Sequence, residues 1–247
     1  FFMIPRISNW HVRCVILSQL DARFRRAMRA ESKQRTPSWV RRMRQRMMSV
    51  LAASVITVAG HGYWSSSAMA QLPTGADVVA GAAIIHTAGP VMDVNASSAR
   101  TIINWNQFNV GAGQTANFNL PDANSAILNR VTSQDMPSLI HGALNSNGQV
   151  FLVNPSGIML GAGGVVNTNA FVASTFDIAN DKFMAGGALT FSGDSTASIV
   201  NNGTINTGAG GAHLIANNIA NNGSITSAGG NITLSGGGTV TLNNGVT

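Results

Sequence analysis

The residues here whose types and spacing suggest chemistry lie in an apolar, glycine-rich stretch. Residues 150–167, VFLVNPSGIMLGAGGVVN, set Ser156 beside Gly157 and follow them with Gly161-Ala162-Gly163-Gly164. A nucleophilic serine of the elbow type needs G-x-S-x-G on a strand-to-helix turn, and N-P-S-G-I is not that pattern. A phosphate cradle of the G-x-G-x-x-G type needs a third glycine and a helix start, yet Val166 stands where that glycine should be. His86, His141 and His213 are scattered without metal-ligand spacing, so neither a metal nor another cofactor is expected. β-Helical lyases and glycosidases cluster carboxylates on one face. From residue 71 onward there are seven Asp and no Glu, and the closest pair, Asp177 and Asp181 in FDIANDKF, reads as part of an inserted loop or turn. No catalytic residue is assigned.

The charge of the chain divides sharply. Residues 1–70 hold twelve Arg or Lys and two Asp or Glu (+10), and residues 71–247 hold Arg100, Arg130 and Lys182 against seven Asp (−4), which together give the formal +6. The basic character therefore belongs to the leading segment, and the remainder has no electrostatic footprint for a nucleic-acid partner. Arg41, Arg42, Arg44 and Arg46 precede the apolar run Met47–Gly60, and Ala68-Met69-Ala70 follows as a small-x-small pattern. This predicts a signal peptide handled by the general secretion machinery and cut by signal peptidase between Ala70 and Gln71. The run falls short of the ~20 residues a membrane-spanning helix needs. Residues 1–40 lack the composition of a folded domain, so residues 1–70 read as a long basic n-region and signal peptide. Cys14, the single cysteine, lies inside it. The exported part then has no cysteine although its destination permits disulfides. An ordinary cysteine-poor protein and a chain that crosses a second barrier unfolded both fit.

Residues 71–247 contain 25 Gly and 24 Asn but remain rich in aliphatic side chains. That is too apolar for a linker and too rich in turn residues for helices. Runs such as GQVFLVN, GALTFSG and GNITLSG alternate branched or aromatic residues with small ones between Gly, Asn or Asp, which is a strand signal. A repeat organises them. Ser198–Ile205 (SIVNNGTI) recurs as Asn218–Ile225 (NIANNGSI), so Asn201 matches Asn221, Ile205 matches Ile225, and Leu214 matches Leu234 at the same spacing. A third Asn-Asn-Gly begins at Asn243. A period of about 20 residues is solenoid spacing.

A parallel β-helix follows, with Ile199, Ile205 and Leu214 stacked inward and asparagine amides bonded along the axis. At about 20–25 residues per coil, residues 71–247 would make roughly seven to nine coils. The expected plan is an N-terminal β cap over about 71–100 and coils over about 101–247, continuing in a longer protein. Four N-x-S/T sequons occur, at Asn95, Asn202, Asn222 and Asn231, two of them restating the Asn-Gly-Thr/Ser corner.

Three long strings carry a resemblance: INWNQFNVGAGQTANFNLP (102–121), AILNRVTSQDMPSLIHGALNSNGQVFLVNPSGIMLG (126–161) and VVNTNAFVAST (165–175). They resemble, in order, the haemagglutination-activity or two-partner secretion domain at the front of filamentous-haemagglutinin-like exoproteins. Residues 6–23, with Trp10 and SQLDAR, resemble the extended signal-peptide region of such proteins. The resemblance implies a right-handed parallel β-helix with an N-terminal cap and no enzymatic activity. It also implies a dedicated outer-membrane barrel transporter with periplasmic POTRA domains, and folding at the surface of a Gram-negative cell. Host-surface glycans or proteins would be contacted by the part beyond Thr247. The family's N-P-N-G-I corner stands here as Asn154-Pro155-Ser156-Gly157-Ile158, with serine for the second asparagine. Asn104, Trp105, Asn106, Phe108, Asn129 and Arg130 complete the set expected to define the fold or meet the transporter, with its buried Asn and Arg tying cap to solenoid by hydrogen bonds. A carbohydrate-active β-helix enzyme and a free-standing glycan-binding module are the rival readings.

Overall fold

The computed structural model describes residues 71–133 and 136–242. The basic leader, the apolar run, Ala68, Ala70, Asp135 and Asn243-Asn244-Gly245 lie outside the described residues, and Gln71 is the first described position. Among the described residues no helix is long and apolar enough to cross a membrane.

The chain forms a β-solenoid of about six turns, a parallel β-helix whose coils stack three faces. Two strands come first. β1 (Asp77–Ala80) and β2 (Ala83–Ala88) fold back at Gly89-Pro90 and lie antiparallel to β4 (Arg100–Trp105) and β3 (Val91–Ala96), respectively. The pairing extends to a bridge between Thr74 and Gln107. At the bend between β1 and β2, Gly81 has φ +73°, and any side chain there would strike the Arg100 carbonyl. The antiparallel segment covers the edge of the first coil, and β3 already lies in parallel register with the second.

That second coil is β5 (Thr115–Asn119), β6 (Ala126–Val131) and β7 (Ser138–Ile140), and the third is β8 (Ala143–Ser146), β9 (Gln149–Val153) and β10 (Ile158–Leu160). In the fourth, β11 (Val165–Ser174) serves two faces. The chain then leaves the solenoid through α1 (Asn180–Ala185) and β12 (Leu189–Ser192), and β13 (Ser198–Asn201) restores the third face. β14 (Thr204–Ile215) and β15 (Asn218–Asn221) make the fifth coil, and β16 (Ser224–Ser227) and β17 (Ile232–Ser235) make the sixth. β18 (Thr239–Leu242) returns to pair antiparallel with β12.

The sequence repeat corresponds to coil register: Asn201 pairs with Asn221, Ile205 with Ile225 and Leu214 with Leu234, all in parallel strands. The expected seven to nine coils are too many. The segment before Val91 folds back as antiparallel cover, and residues 176–197 leave the solenoid. The early coils also take more chain, since the advance from Arg100 to its partner Ala126 is longer than that from Ala212 to Ile232. The strand before the third Asn-Asn-Gly does not continue the repeat. Val240 and Leu242 alternate toward one face, where they pack beside Leu189 and Phe191. A strand's side-chain phase is fixed by its register. In the repeat's register Thr241 would point inward and leave Val240 and Leu242 in solvent, so pairing with β12 prevails.

Two cores result. Inside the solenoid, Met92, Phe118, Leu144, Val150, Leu152, Val166, Phe171, Ile199, Ile205 and Leu214 form one buried cluster. Outside the sheet of β4, β6, β9, β11 and β14, a second cluster joins Ile102, Leu128, Phe151 and Val172 to Phe176, Phe183, Leu189 and Phe191 of the excursion. Burial on both faces accounts for strands such as QVFLV, which is buried throughout.

A ladder of side chains runs along the neighbouring sheet. Asn117 Nδ2 donates to Asp93 Oδ1 at 2.9 Å, Asn145 to Asn117 at 3.1 Å, Asn167 to Asn145 at 3.0 Å and Asn206 to Asn167 at 2.9 Å. Every donor faces the N-terminal end, and the series ends on a carboxylate that only accepts. Asp93→Asn is therefore expected to be nearly neutral, whereas Asn145→Asp removes the donor to Asn117 and costs about 1 kcal/mol. Urea denaturation of both variants checks this, and equal losses at the two positions would refute the ladder's polarity.

His213 follows Val172 in the outward column that lines the second core and is 9% exposed, with Nδ1 unpartnered. Desolvation pushes its pKa down, outweighing a hydrogen bond to the Gly210 backbone that pushes it up. The unfolded chain then binds the proton more readily than the folded one. Stability from this residue is complete above the ordinary imidazole pKa of about 6.5 and declines as pH falls from there toward the lowered folded value. Between pH 7.5 and 5.5 the native protein is expected to lose more stability than His213→Val. Identical pH slopes in chemical denaturation would show that His213 is not responsible.

Candidate fold-defining and recognition site

The sequence motifs converge because coil register brings them together. Ile103, Asn104 and Trp105 pair with Asn129, Arg130 and Val131, and Asn129 and Arg130 pair in turn with Leu152 and Val153. One residue further, Asn154 occupies the inward column of Trp105 and Val131. Three separated strings thus meet on one sheet and at one corner of the solenoid.

Trp105 is buried and meets Phe108 edge-to-face at 5.7 Å, and Phe108 stacks on Phe118 at 6.1 Å. The indole N–H needs an acceptor in this apolar interior. Asn129, wholly buried in a column shared with Ile103, Leu152 and Leu214, supplies it: its Oδ1 accepts from Trp105 Nε1 at 3.0 Å, and its Nδ2 donates to the Phe151 carbonyl at 3.3 Å. One amide thus joins the first, second and third coils. Asn104 lies opposite Asp77 of β1, and its Oδ1 is buried without a hydrogen-bond partner. The Asn106 side chain is exposed, packs against Gly75 and donates its backbone N–H to the Thr74 carbonyl at 3.0 Å. These two positions abut the cap.

Arg130 points outward. It donates to Asp177 Oδ1 at 2.8 Å, Asn180 Oδ1 at 2.7 Å and the Ile178 carbonyl at 2.6 Å. Arg100 donates to the Phe183 carbonyl at 3.0 Å and lies 5.4 Å from that ring's centre. Burial lowers the Arg100 pKa. Asn129 and Arg130 therefore do not tie cap to solenoid: Asn129 joins coils from within, and Arg130 fastens the excursion. Sequence reasoning missed this because no local pattern relates Arg130 to partners so distant in the chain. Asp177, one half of the closest carboxylate pair, is Arg130's partner, and Asp181 lies 3.9 Å from Lys182.

At the NPSGI corner, Asn154 is 1% exposed. Its Nδ2 donates to the Met136 carbonyl at 3.1 Å and Ser138 Oγ at 3.0 Å, and its Oδ1 accepts the Ser156 N–H at 2.9 Å. Its own N–H reaches the Ser174 carbonyl, and its carbonyl accepts from Gly157 N–H, both at 3.0 Å. The corner is joined to the coil before it through Met136 and Ser138, and to the coil after it through Ser174. Gly157, at φ +109°, takes a conformation that favours glycine. Ser195, on the return from the excursion, donates to the Pro155 carbonyl at 2.6 Å. Pro155 and Ser156 are half-buried, and Ile158 begins β10 with its side chain in the core.

The surface nearby offers an open groove of about 580 Å³ beside Asn109, Met136, Leu139 and His141, and among the described residues His141 is the single titratable side chain lining it. Among the described residues no group of three or more His, Cys, Asp or Glu is placed to hold a metal ion.

Comparison with known proteins agrees with this architecture. Residues 70–246 match the family model described as TPS secretion domain. The crystal structure of the HMW1 secretion domain from Haemophilus influenzae superposes with a TM-score of 0.65 at 39% identity, covering 70% of this chain and 48% of that one. Two heme/hemopexin-binding proteins of Haemophilus influenzae are 34% and 26% identical over 131 and 132 residues, 53% of this chain but 14% of each relative. The family is one of secretion domains and not of enzymes, and its name implies a cognate outer-membrane transporter and export from a Gram-negative cell. The chain belongs to the two-partner secretion (TPS) domain family.

Proposed function

We propose that this domain is the export address of a large surface or secreted adhesin of the haemagglutinin type. A dedicated outer-membrane barrel reads it through periplasmic POTRA domains, and the β-helix forms outside the cell. Export by this route begins with removal of the leader at Ala70-Gln71 by signal peptidase. Heme/hemopexin-binding proteins share only this part with the chain, since 14% of their length is matched. Adhesion to host glycans or proteins is accordingly assigned to other parts of such an exoprotein.

The observation that carries the reading is the directional build of the solenoid. An antiparallel strand seals the N-terminal edge, and each coil offers the next a backbone edge in parallel register. A chain delivered from its N-terminal end meets a finished template at every step. Each added coil buries apolar surface, and that free energy draws the chain outward without a nucleotide. The absence of cysteine after Cys14 suits passage of an unfolded chain.

Within this reading the NPSGI corner acts through the fold, because the Asn154 amide is fully occupied inside it. Asn154→Ala leaves Met136, Ser138 and Ser156 short of partners and is expected to cost about 2 kcal/mol. Export is expected to fall in the same variant. Co-expression with and without the cognate transporter gene tests the whole reading: the protein should reach the medium only when the transporter is present. Release that ignores the transporter would overturn the proposed function. Unchanged stability and export of Asn154→Ala would overturn the corner's part in it.

A further inference from the structure

We infer that the excursion is a two-part latch, with one half fixed to the early coils and the other closed only by the strand that follows the sixth coil. The fixed half is residues 177–183. Arg130 holds Asp177, Ile178 and Asn180, Arg100 holds the Phe183 carbonyl, and the Phe183 ring packs edge-to-face on Phe151 at 5.2 Å. All of these anchors belong to the first three coils, so this half docks as soon as the chain reaches residue 183.

The second half is different. β12 is joined on one edge only at Asp177 and Ser192, and its full-length partner is β18, from Leu189–Leu242 to Ser192–Thr239. Between them in sequence lie the whole fifth and sixth coils. With the two strands paired, Leu189 and Phe191 are buried and Leu242 is 9% exposed, all three in the second core. Glycines flank both strands. Gly186 and Gly187, at φ +72° and +81°, separate α1 from β12, and Gly236-Gly237-Gly238, with Gly237 at φ +137°, separates β17 from β18. Around Gly187 and Gly237 there is open space. These are two jointed arms that meet over a hydrophobic sheet face.

The topology makes closure conditional. Until residue 242 arrives, the outer faces of Val172 and Ile215 and the side chains of Leu189 and Phe191 lack their full cover. Once it arrives, the sixth coil is tied back to the fourth, and the C-terminal end of the solenoid gains an anchor outside its own register. The latch therefore reports completion of six coils and resists unravelling from that end. None of this depends on the transporter, and the purified protein suffices to test it.

Hydrogen exchange with peptide-level readout is the measurement. Amides of 189–192 and 239–242 should exchange together, at least tenfold faster than those of 170–174 and 211–215, because the arms open while the coils stay paired. Leu242→Asp should raise exchange in 189–192 a further tenfold and leave β9 and the first half of β11 unchanged. Thr190→Cys with Thr241→Cys gives the chain from Gln71 onward its only thiols, on side chains whose Oγ1 atoms now lie 3.0 Å apart. Oxidation of that pair should slow arm exchange and spare the coils. Equal exchange of arms and coils in the native protein overturns the latch. So does a Leu242→Asp protein that loses protection everywhere, or one that keeps 189–192 protected.

Discussion

The whole structure rests on one constraint: each coil's backbone must find its hydrogen-bond partners in the coil beside it. A parallel stack has two ends, and an unsatisfied edge at either is costly and prone to stray pairing. At the N-terminal end the solution is a reversal of direction at Gly89-Pro90, which lays Asp77–Ala88 along the first coil. Once that edge is closed, the remaining strands inherit a register, and the register decides which side chains face inward. The amide ladder from Asp93 to Asn206 is a consequence of this order, since it links five residues that coil pairing had already aligned.

Apolar stacking alone would not fix that register, because one aliphatic column packs much like another. Buried polar groups do. Asn129 fits one position, where Trp105 offers an N–H and Phe151 a carbonyl. Asn154 likewise fits only a corner where Met136, Ser138 and Ser156 converge. A slip of two residues, which keeps each side chain on its face, would strand these amides in a hydrophobic interior, at about 1–3 kcal/mol for each group left unpaired. The two outward arginines do the same for the excursion, holding a helix of six residues that could not persist alone.

The solenoid was legible because its signal is periodic. Asn201 and Asn221, Ile205 and Ile225, and Leu214 and Leu234 announce their pairing by spacing, and the turn residues between them exclude long helices. The count of coils was not legible, because nothing local marks residues 71–88 as running backward or 176–197 as leaving the stack. The same holds for Thr239–Leu242, where a motif repeat and a hydrophobic phase disagree and only a distant partner, β12, decides. Among the site residues, Asn154 and its turn could be read from Pro and Gly. The alliance of Trp105 with Asn129 could not, because it depends on two strands from successive coils lying side by side.

This division bears on what a secretion partner can read. In the folded domain the Asn154 side chain has spent its donors and acceptor on the corner, and Asn129 is sealed inside the solenoid. Neither amide is available to another protein at that stage. A partner that distinguishes these residues must meet the chain before the third coil closes, when both are still exposed. A partner that meets the finished fold reads instead what they specify: the capped edge, the register and the held excursion. In the folded domain the two asparagines hold the register from within, Asn129 between successive coils and Asn154 at the corner.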